Sequence, residues 1–452
     1  MAIDTTFDIA LELEVPPAHA EPRPATAAAE RGLRSTVGQG VLALADQSAV
    51  SGVRFLTTVI VGRTCGPEEL GIYSLGFTLL VVFSCALESL IFTPLTVYGS
   101  QLQGTARREY CGGVLGVAAL VALVAAVGLG ALALLMMGVG HPGLAPVLAV
   151  LTLAGPAILA WEFCRWFSLA HRRLDQAAAL DLGVAVCQSG AVLGLAWMGM
   201  LSAVTAYFAI AAVCVINAGC WFLRSRSAFV LRRDQMLPAL KRNWSLARWI
   251  FASRVIYPLT FPAILWIVAG VDDAEDVGQL TACMTVVLLF NPILLGINNF
   301  LFPRVVQSLL HGGRAELRRT VWKYGWTVAG GVALASVLMT VFGEQVIRLI
   351  YGNAYADHRA TIMLLALVPL ANIWTVIFCG GLCALERTDA TFAASLAANV
   401  ASVGVAAVLV PFWGISGAAC GLLAGSIAGV LACGLAFQTA TAPETAEEAR
   451  IF

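Results

Sequence analysis

An all-α, polytopic membrane fold is predicted: about twelve transmembrane helices in two pseudo-symmetric six-helix bundles. Three observations predict it. The chain has 452 residues, of which 59% are hydrophobic and only 12% charged, with a mean hydropathy of +0.85. Soluble domains carry about 25% charged residues, so this chain cannot cover the surface of a water-soluble globule of its size. Apolar runs of about 20 residues recur along most of the sequence, each long enough to cross a bilayer core of about 30 Å. The loops between these runs alternate between basic and acidic. A β-barrel would need alternating segments of about 10 residues, which the sequence lacks.

In chain order, residues 1–36 come first. LELEVPPAHAEPRPATAAAERG is rich in Pro, Ala and Glu and reads as a disordered cytosolic tail. It is not a secretory signal, having no basic start followed by an apolar core. The first bundle is expected over 37–223, with spans at 37–61, 72–98, 111–138, 145–169, 178–198 and 202–223. The break between the last two is short, and Ser202 and Thr205 mark the new start. A basic linker occupies 224–245. The second bundle covers 246–437, with spans at 246–269, 279–301, 324–342, 361–384, 391–410 and 415–437, and a cytosolic tail follows at 438–452.

Charge fixes the orientation. One set of loops holds Arg31 and Arg34, Arg107 and Arg108, Arg172 and Arg173, the central cluster, then Arg304, Arg314, Arg318, Arg319, Lys323, Arg387 and Arg450. The opposite loops hold only Arg63, Arg348 and Arg359, beside the acids Glu68, Glu69, Asp272, Asp273, Glu275 and Asp276. The positive-inside rule places both termini in the cytoplasm of a multi-pass protein. An odd number of spans would scramble the separation.

The halves resemble each other. GPEELGIYSL (66–75) and DAEDVGQLTA (273–282) are both acidic turns with Gly at a matching position, each leading into a span. Acids and Pro also suit any helix start, but a duplication in the same orientation explains both the turns and the basic stretches that end the spans. It implies bundles related by an axis along the membrane normal.

Within the central stretch, Phe229, Met236, Leu237, Leu240 and Trp244 recur at helical spacing among Arg232, Arg233, Lys241 and Arg242. That pattern predicts an amphipathic helix in the membrane interface, with Pro238 interrupting it or opening a second turn. Topology accounts for the charge, so no nucleic-acid partner is inferred.

Ionisable side chains inside spans are functional candidates. On the first span, Gln39, Asp46 and Thr57 nearly share a face, and Gln47, Ser51, Arg54 and Thr58 form a neighbouring stripe. Such a polar side lines a cavity or packs within the bundle. Glu88 and Asp46 lie about 15 Å from the cytosolic end, and Arg254 about 12 Å in, by the helical rise. These groups either form an internal salt bridge or line a cavity and couple an ion. Glu162 and Arg165, at i and i+3, are expected to pair structurally, with Asp181 near in depth. Asn291, Asn298, Asn299, Asn372 and Asn399 could hydrogen-bond between helices or to sugar hydroxyls. Gly417, Gly421, Gly425 and Gly429 form a stripe that permits close helix packing, within the chain or between copies.

No enzyme constellation emerges. There is no phosphate-binding glycine loop with Lys, and the five His are dispersed. The twelve Cys are scattered in apolar runs, and neither a metal site, a disulfide nor a cofactor is inferred from them.

Several segments carry a family resemblance. GEQVIRLIYGNAYADHRATIMLLALVPLANIW (343–374), ALERTDATFAASLAANV (384–400) and VPFWGISGAACGLLAGSIAG (410–429) resemble the C-terminal half of polysaccharide exporters. Those exporters belong to the multidrug/oligosaccharidyl-lipid/polysaccharide flippase superfamily. The family's LxYGxxY element and its P-x-x-G-I-x-G-A-A turn are both present. GRTCGPEELGIYSLGFT (62–78) and WEFCRWFSLAHRRLDQAAALDLGVAVCQ (161–188) resemble segments of its first half. The likeness spans roughly residues 36–438. It lacks the two additional helices of the lipid II flippases.

The resemblance implies a non-enzymatic flippase. It would move undecaprenyl-pyrophosphate-linked oligosaccharide from the cytosolic to the periplasmic leaflet of the inner membrane, for O-antigen or exopolysaccharide biosynthesis. Implied partners are the lipid-linked oligosaccharide, membrane lipids and, functionally, glycosyltransferases and a polymerase. Depth and chemistry make Arg54 and Arg254 the candidates for the anionic headgroup. They make Asp46 and Glu88 candidates for a coupling H+ or Na+. The family supplies no universal motif that maps onto these four residues, and its polysaccharide flippases often have a more cationic cavity. The alternative within the same fold is a cation-coupled multidrug antiporter with a more apolar pocket.

Overall fold

The computed structural model describes residues 49–99, 101–139, 143–171, 173–256, 259–288, 291–355 and 357–442. The expected tail at 1–36, the end of the second tail, and Gln39, Asp46 and Gln47 lie outside the described residues. The fold is all-helical and membrane-spanning. Helix α1 covers 49–65, followed by α2 (Pro67–Gly99), α3 (Gly104–Val139), α4 (Leu144–Ala170), α5 (Leu174–Trp197) and α6 (Ala203–Ser225). The second half contains α7 (Arg233–Ile256), α8 (Thr260–Val271), α9 (Ala274–Leu288), α10 (Asn291–Tyr351), α11 (Arg359–Ala384) and α12 (Thr388–Ala440). Among the described residues eight helical stretches are long and apolar enough to cross a membrane, and α8 is a shorter apolar helix. Gly313 (φ 62°) breaks α10, and Gly414 (φ 52°) breaks α12 into the last two crossings. Both φ values are left-handed, where a side chain would strain the backbone. At Gly414 this explains the glycine of the P-x-x-G turn.

Lipid offers no partner for peptide groups, so each span closes its hydrogen bonds within itself. Large apolar side chains such as Leu134, Leu153, Phe208 and Phe412 point outward, where acyl chains cover them. The short break before α6 forms as its sequence predicts. Gly199 has φ 68°. Ser202 Oγ accepts from Thr205 N–H at 3.2 Å, and Thr205 Oγ1 accepts from Ser202 N–H at 2.8 Å, a reciprocal capping box.

The matching turns of the two halves meet. A Cβ built on Gly71 would sit 1.7 Å from the Ala274 carbonyl oxygen, and one on Gly278 would sit 1.9 Å from that of Pro67. Pro67 and Ala274 hold equivalent places in the two turns, so the contact is reciprocal. Around it, Tyr355 Oη donates to the Gly62 carbonyl at 2.9 Å, and Arg63 Nη1 donates to the Leu349 carbonyl at 2.6 Å. The tyrosines of the LxYGxxY element thus lock the end of α1 to the second half. All these contacts lie at the acidic-loop end. Slightly deeper, Trp266 Nε1 donates to Thr78 Oγ1 at 2.8 Å.

The glycine stripe of α12 packs inside the chain. Gly421 and Gly425 face Ser402 and Ala398 or Ala406 on the first half of the same broken helix, and Gly429 faces Thr375 of α11. The basic stretch is folded more firmly than an interfacial helix requires. α7 runs through Pro238 as one helix. Gly112 and Gly113 of α3 let its approach come close, beneath Val230 and Gln235. Ala239, Asn243 and Ala247 are buried, while Leu237 and Trp244 remain exposed.

Candidate functional site

The polar groups of the first half converge inside the membrane between α1, α2, α4 and α5. Arg54 lies about 16 Å from the end of α1 at Cys65, by the helical rise. Its guanidinium stands over the Phe77 ring at 5.5 Å, and its Nη2 is 3.8 Å from Glu162 Oε1. The Arg54 side chain is 52% exposed and that of Glu162 only 9%. Ser84 Oγ donates to the same Glu162 oxygen at 3.0 Å. Glu162 Oε2 is buried without a hydrogen-bond partner. A carboxylate in this state faces a large desolvation cost, and the adjacent guanidinium offsets it.

Arg165 lies within electrostatic reach of Glu162, and its closest ion pair is with the next helix. Arg165 Nε binds Asp181 Oδ2 of α5 at 2.5 Å, and its guanidinium lies 4.9 Å from the Trp166 ring centre. Asp181 is too deeply buried to be met by solvent, so its partner must come from a neighbouring helix. Glu162 also meets Arg54 across the bundle. Tertiary geometry adds to the local spacing, because α1 brings a second guanidinium to the same depth.

Glu88 is half-buried and lies within electrostatic reach of Glu162. It opens a π-helical segment, Glu88–Phe92, inside α2. The wider turn precedes Pro94, and such bulges often mark functional positions. On α1 the two expected stripes have different fates. Thr57 is buried and accepts from Gln188 Nε2 of α5 at 2.9 Å, whereas Ser51 and Arg54 are exposed. Among the described members, Thr57 packs against a neighbouring helix while Ser51 and Arg54 stay accessible.

Of the four residues singled out in the sequence, Arg54 and Glu88 stand near each other around Glu162. Asp46 lies outside the described residues. Arg254 is on α7, but its side chain lies outside the described residues, as do those of Asn291, Asn298 and Asn299. The residue that sequence reasoning placed in a merely structural role is Glu162. Its role depends on Arg54 and Ser84, which are distant in sequence; its depth within α4 was the available signal. Among the described residues no group of three or more His, Cys, Asp or Glu is placed to hold a metal ion.

No protein-family model and no curated protein matches the sequence. Solved structures do. An inward-facing multidrug resistance MATE family transporter of the MOP superfamily is 13% identical with a TM-score of 0.69, covering 88% of this chain and 96% of that one. The lipid II flippase MurJ, in an inward closed conformation, is 13% identical with a TM-score of 0.72, covering 88% and 87%. A MOP superfamily transporter from Pyrococcus furiosus is 11% identical with a TM-score of 0.60, covering 90% and 95%. Along nearly its whole described length, this chain therefore has the fold of the MOP superfamily transporters.

Proposed function

We propose that this chain is a membrane transporter that carries an undecaprenyl-pyrophosphate-linked oligosaccharide from the cytosolic to the periplasmic leaflet by alternating access. The observation that carries the reading is the half-exposed Arg54 guanidinium at membrane depth, beside open space. Its Glu162 partner stands 3.8 Å off and leaves half of the guanidinium accessible, and guanidinium matches a phosphate's geometry. Arg254 is the proposed second contact. The lipid tail stays in the bilayer while the bundles rock, making and breaking the Gly71–Gly278 contact. The family resemblance of the 343–429 segments and the fold shared with MurJ support the same substrate class.

One observation favours a second reading. Glu162 is a buried carboxylate with an unpartnered oxygen, a group suited to carrying a coupling proton or Na+ in a multidrug antiporter, and Glu88 and Asp46 are proposed to act with it. The two readings separate in a deletion strain. The flippase reading expects lipid-linked glycan to accumulate on the cytosolic leaflet, restored by the wild-type chain but not by Arg54→Gln. Unchanged periplasmic lipid-linked glycan and unchanged polymer would reject it. Glu162-dependent efflux of organic cations along a pH or Na+ gradient would then establish the antiporter.

A further inference from the structure

At the basic-loop end of the second bundle, away from the Arg54 site, an open cavity of about 600 Å³ lies between α10 and α12. Arg314, Arg318, Arg319 and Trp322 line one wall, and Thr441 and Ala442 the other. The break at Gly313 starts a fresh helix, so positions 314, 318 and 322 fall on one face, with 319 beside them. Glu316 is the only acid between Gly312 and Lys323. It is absent from the lining and packs against Gly312. Among the described residues, neither Arg318 nor Arg319 stands in an ion pair.

Below the arginines the surface changes character. Trp322 packs 5.4 Å from Trp374 and 5.7 Å from Phe378, ring to ring, and Trp326, one turn on, is 66% exposed. Tryptophan at the end of a span marks the headgroup level of a bilayer. From Trp326 an exposed lane continues through Gly330, Leu334, Val337 and Val341, at spacings of three and four residues along one helix face. A guanidinium cluster above an aromatic collar and an apolar lane follows the polarity order of a phospholipid: phosphate, glycerol level, acyl chain. A soluble anion would use the arginines but not the lane.

We propose that this cavity binds the headgroup of an anionic bilayer phospholipid, with its phosphate diester on Arg318 and Arg319 and an acyl chain along the Trp326–Val341 lane. The site is distinct from the transport path and does not rest on the identity of the transported molecule. Basic pockets between spans are a recognised way to hold such lipids.

The test uses the full chain, purified in detergent and analysed by native mass spectrometry after titration with phosphatidylglycerol or phosphatidylcholine. One phosphatidylglycerol should be retained in preference to phosphatidylcholine. Arg318→Gln with Arg319→Gln should weaken retention at least about tenfold, while Arg348→Gln, at the opposite end, should leave it unchanged. Ala442→Glu, which keeps both arginines but adds an acid to the wall, should also weaken it, guarding against a folding defect in the first variant. Equal retention in both pocket variants overturns the proposal. So does displacement by equimolar inorganic phosphate, which would mean a soluble-anion site. Retention seen only in a chain ending at Ala442 also overturns it, because the acids Glu444, Glu447 and Glu448 would then be the occupant.

Discussion

Asn243 of α7 donates its side-chain amide to the Leu90 carbonyl of α2 at 2.8 Å. That carbonyl is the acceptor that Pro94, four residues on, cannot serve because proline has no N–H. The preceding π-turn takes the next donor out of register as well, since Thr93 N–H reaches back to Glu88. A helix bend inside the membrane is thus repaired by a side chain from the central basic stretch. Tyr110 Oη in turn donates to Asn243 Oδ1 at 2.8 Å, and Asn243 is 0% exposed. The linker therefore holds the basic-loop half of α2, and with it the segment that carries Glu88.

Asn243→Ala leaves the Leu90 carbonyl and the Tyr110 hydroxyl without their partner. The expected loss of stability is about 1–3 kcal/mol, read as a fall in the thermal unfolding midpoint of the purified protein. Tyr110→Phe removes one bond and leaves one acceptor idle, so its loss should be smaller, about 1 kcal/mol. Equal midpoints for all three proteins would show that water or lipid satisfies the bend without Asn243.

The reciprocal Gly71–Gly278 contact leads to a second prediction. Either glycine changed to Ala places a methyl inside the van der Waals radius of a carbonyl on the opposite half. Each helix alone accepts Ala readily, so the protein should still fold while the acidic-loop end fails to close. Transport by either variant should fall at least about tenfold, since closure gates turnover. Cysteines placed at Pro67 and Ala274 should cross-link in the parent but not beside Gly71→Ala. Because one contact is shared, the double variant should be little worse than either single. Full cross-linking in both glycine variants would remove this contact from the gating role.

Arg165 and Asp181 bear on how the first bundle is held together. Their side chains are 11% and 0% exposed. Asp181→Asn leaves a buried guanidinium poorly compensated, with an expected cost of about 3–5 kcal/mol. Replacing both by Leu should recover most of that loss, because the pair's mutual attraction is largely spent on its desolvation. Chemical unfolding of the purified variants measures both. A double variant as unstable as the single would mean that the pair serves other neighbours.

Much of this architecture is legible from one-dimensional pattern. Span length, alternating loop charge and the turn at Ser202 are local properties, written in hydropathy, arginine position and a capping sequence. The duplicated turns announced Gly71 and Gly278 as equivalent, and their contact is the physical reason both are glycine. Pairing between spans is not local. The spacing of Glu162 and Arg165 pointed to each other, yet their nearest charged partners, Arg54 and Asp181, come from other helices, and nothing in the sequence states which helix lies alongside. The fate of the α1 stripes is similar: Thr57 and Arg54 are three residues apart, yet one meets Gln188 and the other open space. The linker's hold on Leu90 is hidden for the same reason, since nothing in the sequence brings Asn243 to Leu90.

Arg54 and Glu162 supply the last prediction, which concerns coupling. If they act as one unit, the guanidinium is held by the carboxylate until an anion, or a proton on Glu162, releases it. Arg54→Gln then loses substrate contact and leaves Glu162 with Ser84 as its remaining donor. Glu162→Gln frees the guanidinium, which should bind an anionic headgroup more tightly and release it more slowly. Turnover should therefore fall in both singles, while headgroup affinity falls in the first and rises in the second. The double variant should resemble Arg54→Gln alone, since Glu162 acts through the arginine; such non-additivity marks a shared contact. Arg54→Lys keeps the charge but loses the fork, and should restore affinity only in part. Binding of the lipid-linked substrate to the four purified variants, beside transport in the deletion strain, gives both readouts. Independent, additive losses would show that Arg54 and Glu162 are neighbours with separate tasks.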